Sequence, residues 1–303
     1  MRVLITGGNG FLARNLYEVL AALGHDISAP SRDLLDCTSL ISLQNYLKSN
    51  KFDIVIHAAG KVGSIKDNIS NSDKYFFYNA QMGMNVLNSC LENNIKNLLN
   101  IGSINSFPVN ENQYVNEDSL LEGSLDKHTE AYGLAKSMVA KYCQYISLKG
   151  SFHYKTLHLS NLFGKYDRFE VNPHMIPAII ARIHKAKEIN SDYVEIWGEG
   201  SARRSFIYAT DVCNFIGSIV NDFELFPQDY ILTGKNNYSV LEYNKIIAEQ
   251  IAYKGSFQFN LDKPVGYKKR LICSKHKSYS VFYTPIEQSI SEVYEFYLKE
   301  VCK

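Results

Sequence analysis

One tryptophan, seven prolines and six cysteines are all that 303 residues contain of those types, and what they fail to form excludes several classes of protein. The cysteines (Cys37, Cys90, Cys143, Cys213, Cys273 and Cys302) make no C-x-x-C pair and no cluster with histidine at metal-ligand spacing. Neither a metal site nor a disulfide framework is expected, and thiols scattered in this way read as residues of a reducing cytoplasm. An excess of one charge is also lacking. Against 31 Asp and Glu stand 32 Lys and Arg, a formal net charge of +1, so no global field draws the chain to nucleic acid or to an anionic membrane. No apolar run approaches the ~20 residues of a membrane span. Met1 leads directly into Val3-Leu4-Ile5, without a basic-then-apolar leader. The expectation is a cytoplasmic protein with no nucleic-acid or membrane partner. Repeats and low-complexity linkers are absent, which leaves one compact unit.

What is present alternates. Short apolar runs at residues 3–6, 54–59, 98–102 and 156–159 are separated by amphipathic stretches at 11–23, 73–91 and 130–148. Strands short enough to be buried on both faces, interleaved with helical periods, predict an α/β fold with a Rossmann-type doubly wound parallel sheet. Around Gly164 the pattern changes. Pro173, Pro177, a helix over 176–187, an isolated strand at 194–197, then Gly198 and Gly200 mark a smaller mixed α/β substrate lobe. Strand and helix character returns at 206–220 and 230–233. The division expected is therefore 1–164 as the Rossmann domain, re-entered at about 206–235, with 165–205 and 236–303 as the second lobe.

Val3-Leu4-Ile5-Thr6-Gly7-Gly8-Asn9-Gly10-Phe11-Leu12-Ala13 reads as strand, glycine-rich turn and helix. Gly7 permits the tight turn, Gly10 lets the backbone approach a pyrophosphate, and Ala13 keeps the helix close to the sheet. The helix start at Phe11 and Leu12 can then hold phosphates. A glycine pattern alone is also compatible with a structural turn; its place in the first βαβ unit favours a dinucleotide. The second strand ends in Ser31-Arg32, where an NAD site would carry an acidic residue for the ribose 2′-hydroxyl. A hydroxyl and a guanidinium suit a 2′-phosphate, so NADPH/NADP+ is the cofactor expected. Arg14 is either a second phosphate ligand or a solvated helix arginine. Asp33-Leu34 fits an adenine contact, and Ala58-Ala59-Gly60 closes the third strand with residues small enough for a ribose to lie against.

Tyr132 and Lys136 are four apart and share one helix face. A neighbouring cation favours the phenolate, which would lower the tyrosine pKa toward working pH and make Tyr132 a proton donor and acceptor. By itself this pair is common on solvated helices. Following a dinucleotide-binding start, with Ser103 closing a strand in Ile101-Gly102-Ser103, it becomes a Ser-Tyr-Lys constellation.

Together these residues resemble the extended short-chain dehydrogenase/reductase family, and within it the GDP-L-fucose synthase group. The resemblance spans nearly the whole chain. It is carried by Ala58-Ala59-Gly60-Lys61-Val62-Gly63, Leu98 to Ser103, Glu130 to Lys136, Ser160-Asn161-Leu162-Phe163-Gly164, Pro173 to Ala178, and Trp197 to Phe206. It implies that Ser103 polarises the C4 carbonyl of a GDP-4-keto-sugar and that Tyr132 protonates the alkoxide. It implies further that Lys136 holds the nicotinamide ribose while NADPH delivers hydride. Asn161, His174, Arg182, Trp197 and Arg204 would surround the GDP-sugar, the guanidinium groups suiting its diphosphate. Each has a plainer alternative: Trp197 as core, Arg182 as a helix-surface arginine, His174 as a structural histidine. Lys269 and Arg270 fall in a late basic segment of the same group, but Val265 and Lys268 stand where its pattern has an acidic residue and a proline, so no individual role follows.

One departure bears on the reaction. Where the group's pattern after the serine reads Ser-Cys, this chain reads Ile104-Asn105. The resemblance assigns that cysteine, with a histidine, to proton transfer at C3 and C5. A carboxamide has no proton to lose or gain near neutral pH, which leaves His174 alone. The expectation is C4 reduction without epimerisation, on a deoxyhexose or heptose of surface-glycan synthesis, with Asn105 as a substrate contact. A complete GDP-L-fucose synthase and an NAD-retaining 4-epimerase remain as alternatives. A 4,6-dehydratase would need acidic residues at 104–105, and a redox sensor would have no need of Tyr132 and Lys136. The resemblance also implies a homodimer through helices at 73–91 and 130–148, with Tyr142, Tyr145 and Ile146 as a candidate stripe.

Overall fold

The computed structural model describes residues 1–110, 112–170, 173–262 and 270–302. Six parallel strands form the main sheet in the order β2-β1-β3-β4-β5-β9: β1 (Arg2–Thr6), β2 (Asp26–Ser28), β3 (Ile54–His57), β4 (Asn97–Ser103), β5 (His153–Leu159) and β9 (Asp229–Leu232). Every residue of β3 and all but the first of β4 are buried. That is the pattern of strands covered on both faces, and it explains why their sequences are continuous apolar runs. This is the Rossmann-type α/β fold read from the alternation. Because β1 is flanked by β2 on one side and β3 on the other, the chain direction across the sheet reverses there. A crevice opens at their carboxyl ends, where ligands of such sheets bind.

On one face α1 (Phe11–Ala22) packs against α7 (Ala209–Ile219) over a core that includes Leu16, Leu20, Val212 and Ile216. On the other lie α2 (Leu40–Ser49), α4 (Ser72–Glu92) and α5 (Glu130–Ser147), closing over Leu43, Val86, Leu87, Val139 and Cys143. The short α3 (Ile65–Ser70) precedes α4, its start capped by the Ser64 hydroxyl accepting the Asp67 N–H. The stripe considered at the sequence divides: Ile146 is buried, Tyr142 packs against the core, and Tyr145 is 60% exposed.

The remaining elements build a smaller body with its own core. Strands β6 (Asn161–Phe163), β8 (Arg203–Tyr208) and β10 (Asn237–Ser239) form a mixed sheet, and β7 (Tyr193–Trp197) pairs with β11 (Ser256–Asn260). Helices α6 (Met175–Glu188), α8 (Val240–Ile251) and α9 (Ile286–Glu300) enclose Ile179, Ile183, Tyr243, Ile247 and Val293. Ser239 and Glu242 form a capping box at the start of α8. After residue 270 the chain also runs along the larger body, where Tyr279, Val281 and Tyr283 pack on the α1–α7 core. Of the six cysteines Cys37, Cys90, Cys143 and Cys213 are buried and all six are unpaired. Among the described residues no helix is long and apolar enough to cross a membrane.

The contact that sets α4 against α5 is tight. A Cβ on Gly83 would lie 2.3 Å from Cγ2 and 2.8 Å from Cγ1 of Val139. Val139 is buried and β-branched, so its helical rotamer leaves it little room to yield. Gly83→Leu is expected to destabilise the fold by about 1–3 kcal/mol, read as a lower urea midpoint; an unchanged midpoint would show that the helices do not depend on this approach.

Candidate active site

The crevice between β1 and β3 is built by backbone proximity. Gly7 takes φ +74°, and a Cβ there would lie 2.9 Å from the Cα of Ala59. Gly8 is held as closely. Its N–H donates to the Pro30 carbonyl at 3.1 Å, and a Cβ would come within 2.0 Å of the Ala29 carbonyl oxygen. The spacing of Gly7, Gly10 and Ala13 passes over Gly8, although the Gly-Gly doublet was its signal. Gly10 caps α1 without a side-chain hydrogen bond, so no side-chain acceptor covers the N–H groups of the first turn, where half-buried Phe11 and buried Leu12 begin the helix. That leaves the positive end of α1 facing the glycine turn, the arrangement that holds a diphosphate.

Thr6 braces the opposite wall. Its Oγ1 accepts the Ala59 N–H at 3.1 Å and shares a hydrogen bond of 2.9 Å with Nδ1 of His57. Burial, with the Lys136 charge adding to it, lowers the His57 pKa to about 3, so the imidazole is neutral. Ala58 and Ala59 are thereby fixed half-buried, with Gly60 exposed beyond them. At the end of β2 the Ser31 carbonyl accepts the N–H groups of Leu34 and Leu35, turning the chain. Arg32 there is exposed and 3.5 Å from Asp36; Asp33 and Leu34 are exposed beside it. The Arg14 guanidinium stacks 3.7 Å above the Tyr166 ring.

Ser103, Tyr132 and Lys136 are brought together where α5 crosses the end of β4. Ser103 Oγ accepts the Asn105 N–H at 3.2 Å, so its own proton is left for another acceptor. Lys136 is buried and donates to the Ile101 carbonyl at 2.9 Å, and a Cβ on Gly60 would lie 3.6 Å from its ammonium. Burial lowers its pKa to about 8. Tyr132 departs from the sequence expectation. Lys136 Nζ lies 6.0 Å from the phenol ring centroid, and burial prevails: the Tyr132 pKa rises to about 12, opposed by the Ser103 hydroxyl beside it. Desolvation of the phenolate outweighs a cation at that distance, so the phenol keeps its proton at neutral pH. Tyr75 packs edge-on to Tyr132, ring centroids 6.4 Å apart.

Asn105 lies on the turn directly after Ser103. A Cβ on Gly133 would come within 2.2 Å of the Asn105 carbonyl oxygen, which seats this turn on α5 one residue beyond Tyr132. Arg270 is buried here, donating through Nη1 to the Ile104 carbonyl at 2.5 Å and to Asn105 Oδ1 at 3.4 Å. Because guanidinium only donates, the carboxamide must turn its oxygen toward it. Val265, Lys268 and Lys269 lie outside the described residues. Asn161 donates to the Ser205 carbonyl at 3.1 Å. His174 Nδ1 is 2.9 Å from Asp167 Oδ1, a partner that no local spacing disclosed.

Arg182, Trp197 and Arg204 lie on α6, β7 and β8 of the smaller body. Arg182 is half-buried with its Nε making no hydrogen bond among the described residues, and its charge faces that of Glu195. Trp197 is 55% exposed, so it is not a core residue. Arg204 Nη1 donates to the Arg203 carbonyl at 2.8 Å.

Residues 3–231 match the model of the NAD dependent epimerase/dehydratase family. The chain is 40% identical over 304 residues to a GDP-L-colitose synthase of Yersinia pseudotuberculosis, covering 99% of each protein. It is 35% identical over 301 residues to a GDP-L-fucose synthase of Azorhizobium caulinodans, covering 98% of this chain and 96% of that one. In fold it is similar to the GDP-mannoheptose C4 reductase of Campylobacter jejuni solved with NADP bound, with a TM-score of 0.86, 22% identity and 98% of both chains covered. A glycine cradle at β1, a serine at the end of β4 and a tyrosine-lysine pair on α5 thus recur with a family match over well over half the sequence and full-length relatives; the chain belongs to the NAD dependent epimerase/dehydratase family.

Proposed function

We propose that this protein is an NADPH-dependent reductase of the C4 ketone of a GDP-4-keto-sugar, a deoxyhexose or heptose, and that it does not epimerise C3 and C5. The observation that carries the reading is the Tyr132 phenol set beside Ser103, which opens a turn whose next side chain but one is a carboxamide. Residues 1–164 and about 206–235 would hold the cofactor; 165–205 and 236–303 would hold the substrate.

The cofactor fits the crevice. Gly7, Gly8 and Gly10 let the turn fold tightly against Ala59 and Ala29 at the start of α1, whose N–H groups suit a diphosphate, and Ser31 with the exposed Arg32 suits a 2′-phosphate. When bound, NADPH supplies a hydride to C4. The chain's own residues manage charge on the ketone oxygen. The Ser103 hydroxyl, already accepting from the Asn105 N–H, donates to that oxygen, and the Tyr132 phenol gives it a proton as negative charge develops. Lys136 places a cation below the phenol and offers its remaining donors to a ribose, while Asp33, Leu34, Ala58, Ala59 and Gly60 line the cofactor's path. Asn161, Arg182, Trp197 and Arg204 are assigned to the GDP-sugar, with His174 and Asn105 at the sugar. Asn105, its oxygen turned to Arg270, can donate to a sugar oxygen but cannot take a proton from carbon.

A second reading is a complete synthase that also epimerises. It is favoured by the names of the two full-length relatives and by the oriented His174. The names of those relatives, and the NADP-bound reductase of the same fold, support a role in nucleotide-sugar synthesis, which we assign to the cytoplasm and to surface glycans. A homodimer is supported by the outer faces of α4 and α5, which expose Phe77, Tyr78, Met138 and Tyr145. Tyr145→Asp is expected to convert a dimer to a monomer in analytical ultracentrifugation; an unaltered sedimentation coefficient would place the interface elsewhere.

The reaction is tested with NADPH and GDP-4-keto-6-deoxymannose in D2O. NADPH oxidation with no deuterium on C3 or C5 of the product is expected, and Asn105→Cys should introduce carbon-bound deuterium. Deuterium at both carbons with the unaltered protein would establish the synthase reading instead. No oxidation, with this sugar or with a GDP-4-keto-heptose, would overturn the assigned substrate class. Tyr132→Phe is expected to lower turnover by roughly 10²–10⁴-fold while NADPH still binds by fluorescence. The pH profile has a defined sign. Tyr132, near 12, stays protonated across the working range, whereas Lys136 loses its charge as pH rises through about 8. Turnover should therefore fall on the alkaline side of 8, and Lys136→Arg should remove that limb; a rate that climbs between pH 8 and 10 would contradict the assignment.

A further inference from the structure

Asp167 and His174 lie seven residues apart ahead of α6, outside the cluster of Ser103, Tyr132 and Lys136. His174 is the N-cap residue of α6, yet its side chain makes no capping bond; it turns instead to Asp167, 2.9 Å from Nδ1 to Oδ1. The two side chains differ sharply in exposure, 1% for the carboxylate and 29% for the imidazole. Oδ1 also accepts the Arg168 N–H at 2.8 Å, while Oδ2 is buried with no hydrogen-bond partner among the described residues. A carboxylate this enclosed, holding a single side chain that reaches outward, is arranged to act on that side chain.

Arg168 Nη1 donates to the Val62 carbonyl at 3.4 Å, two residues beyond Gly60. In that loop a Cβ on Gly63 would meet the hydroxyl of Tyr75, the ring packed edge-on to Tyr132. The residue after Asp167 thus reaches the loop that lies against Tyr75.

We infer that Asp167 is a positioning residue. Its carboxylate holds the His174 imidazole as the Nδ1–H tautomer and presents the Nε2 lone pair to a hydroxyl of the bound sugar. An ionised carboxylate only accepts, so the shared proton belongs to Nδ1 and the exposed nitrogen is left as the acceptor. The inference deepens the proposed function, because it rests on the sugar lying against His174.

The test separates the two claims. Nitrogen-15 NMR of the histidines at pH 8.5 reads the tautomer without substrate, His174 being assigned from its absence in His174→Gln. The expected result is Nδ1–H in the unaltered protein, loss of that preference in Asp167→Ala, and its retention in Asp167→Asn, whose amide oxygen still accepts. Turnover with NADPH and GDP-4-keto-6-deoxymannose should fall about tenfold or more in Asp167→Ala, recover in part in Asp167→Asn, and be no lower in Asp167→Ala/His174→Gln than in His174→Gln. An Asp167→Ala protein that keeps the Nδ1–H tautomer, or single losses that multiply in the double variant, would overturn the inference. Full turnover by His174→Gln would overturn it too, leaving C4 reduction standing. Absence of turnover by the unaltered enzyme would strike the proposed reaction, and the tautomer measurement would still decide the pairing.

Discussion

Lys136 buries its ammonium against the Ile101 carbonyl, and much of the surrounding architecture is what that one hydrogen bond demands. A charged group removed from water must be met by a dipole, so α5 has to approach the end of β4 closely enough to reach a main-chain oxygen. Such an approach leaves no room for side chains at the crossing. Gly133 leaves room for the Asn105 carbonyl, and Gly60 keeps the third-strand loop beside the ammonium. Tyr132, one turn earlier on α5, is carried to Ser103 by the same placement.

The electrostatics of the site follow from that burial rather than from the pairing of charges. Desolvation lowers the lysine to about 8 and raises the tyrosine to about 12. The two shifts leave a phenol that keeps its proton and an ammonium close to its titration point. On the other side of the crevice His57 is driven neutral by the same burial and serves as a fixed polar strut with Thr6. Of these two buried groups, His57 is neutral and the cation is the one beside the phenol.

The half built on the parallel sheet was legible in the sequence because its signals are local. Apolar runs buried on both faces announce parallel strands, and Gly7, Gly10 and Ala13 lie in one uninterrupted segment. Tyr132 and Lys136 declare themselves through helical spacing alone. Asp167 stayed hidden because its link to His174 is a side-chain pairing outside any helix or strand, which no periodicity encodes. The direction of the Tyr132 shift was missed for a related reason: a count of neighbouring charges sees the lysine and not the water that burial removes. Arg270 lies 166 residues from the Ile104 carbonyl it holds, a distance only tertiary structure closes. The places assigned to Arg182, Trp197 and Arg204 came from resemblance, since a single strand or helix gives an arginine no reason to face one way.

The seat of Asn105 on Gly133 separates frame from function at the most consequential position in the site. The clamp grips the main-chain carbonyl, and Ser103 grips the main-chain N–H, so the backbone of this turn is held whatever side chain it bears. Position 105 behaves as a socket. What the side chain adds is a tie of its own, the 3.4 Å contact from Oδ1 to Arg270, which lies apart from those two. The frame that sets Ser103 against α5 and the group presented at position 105 are thus separate parts of the turn, and the second can change while the first keeps its geometry.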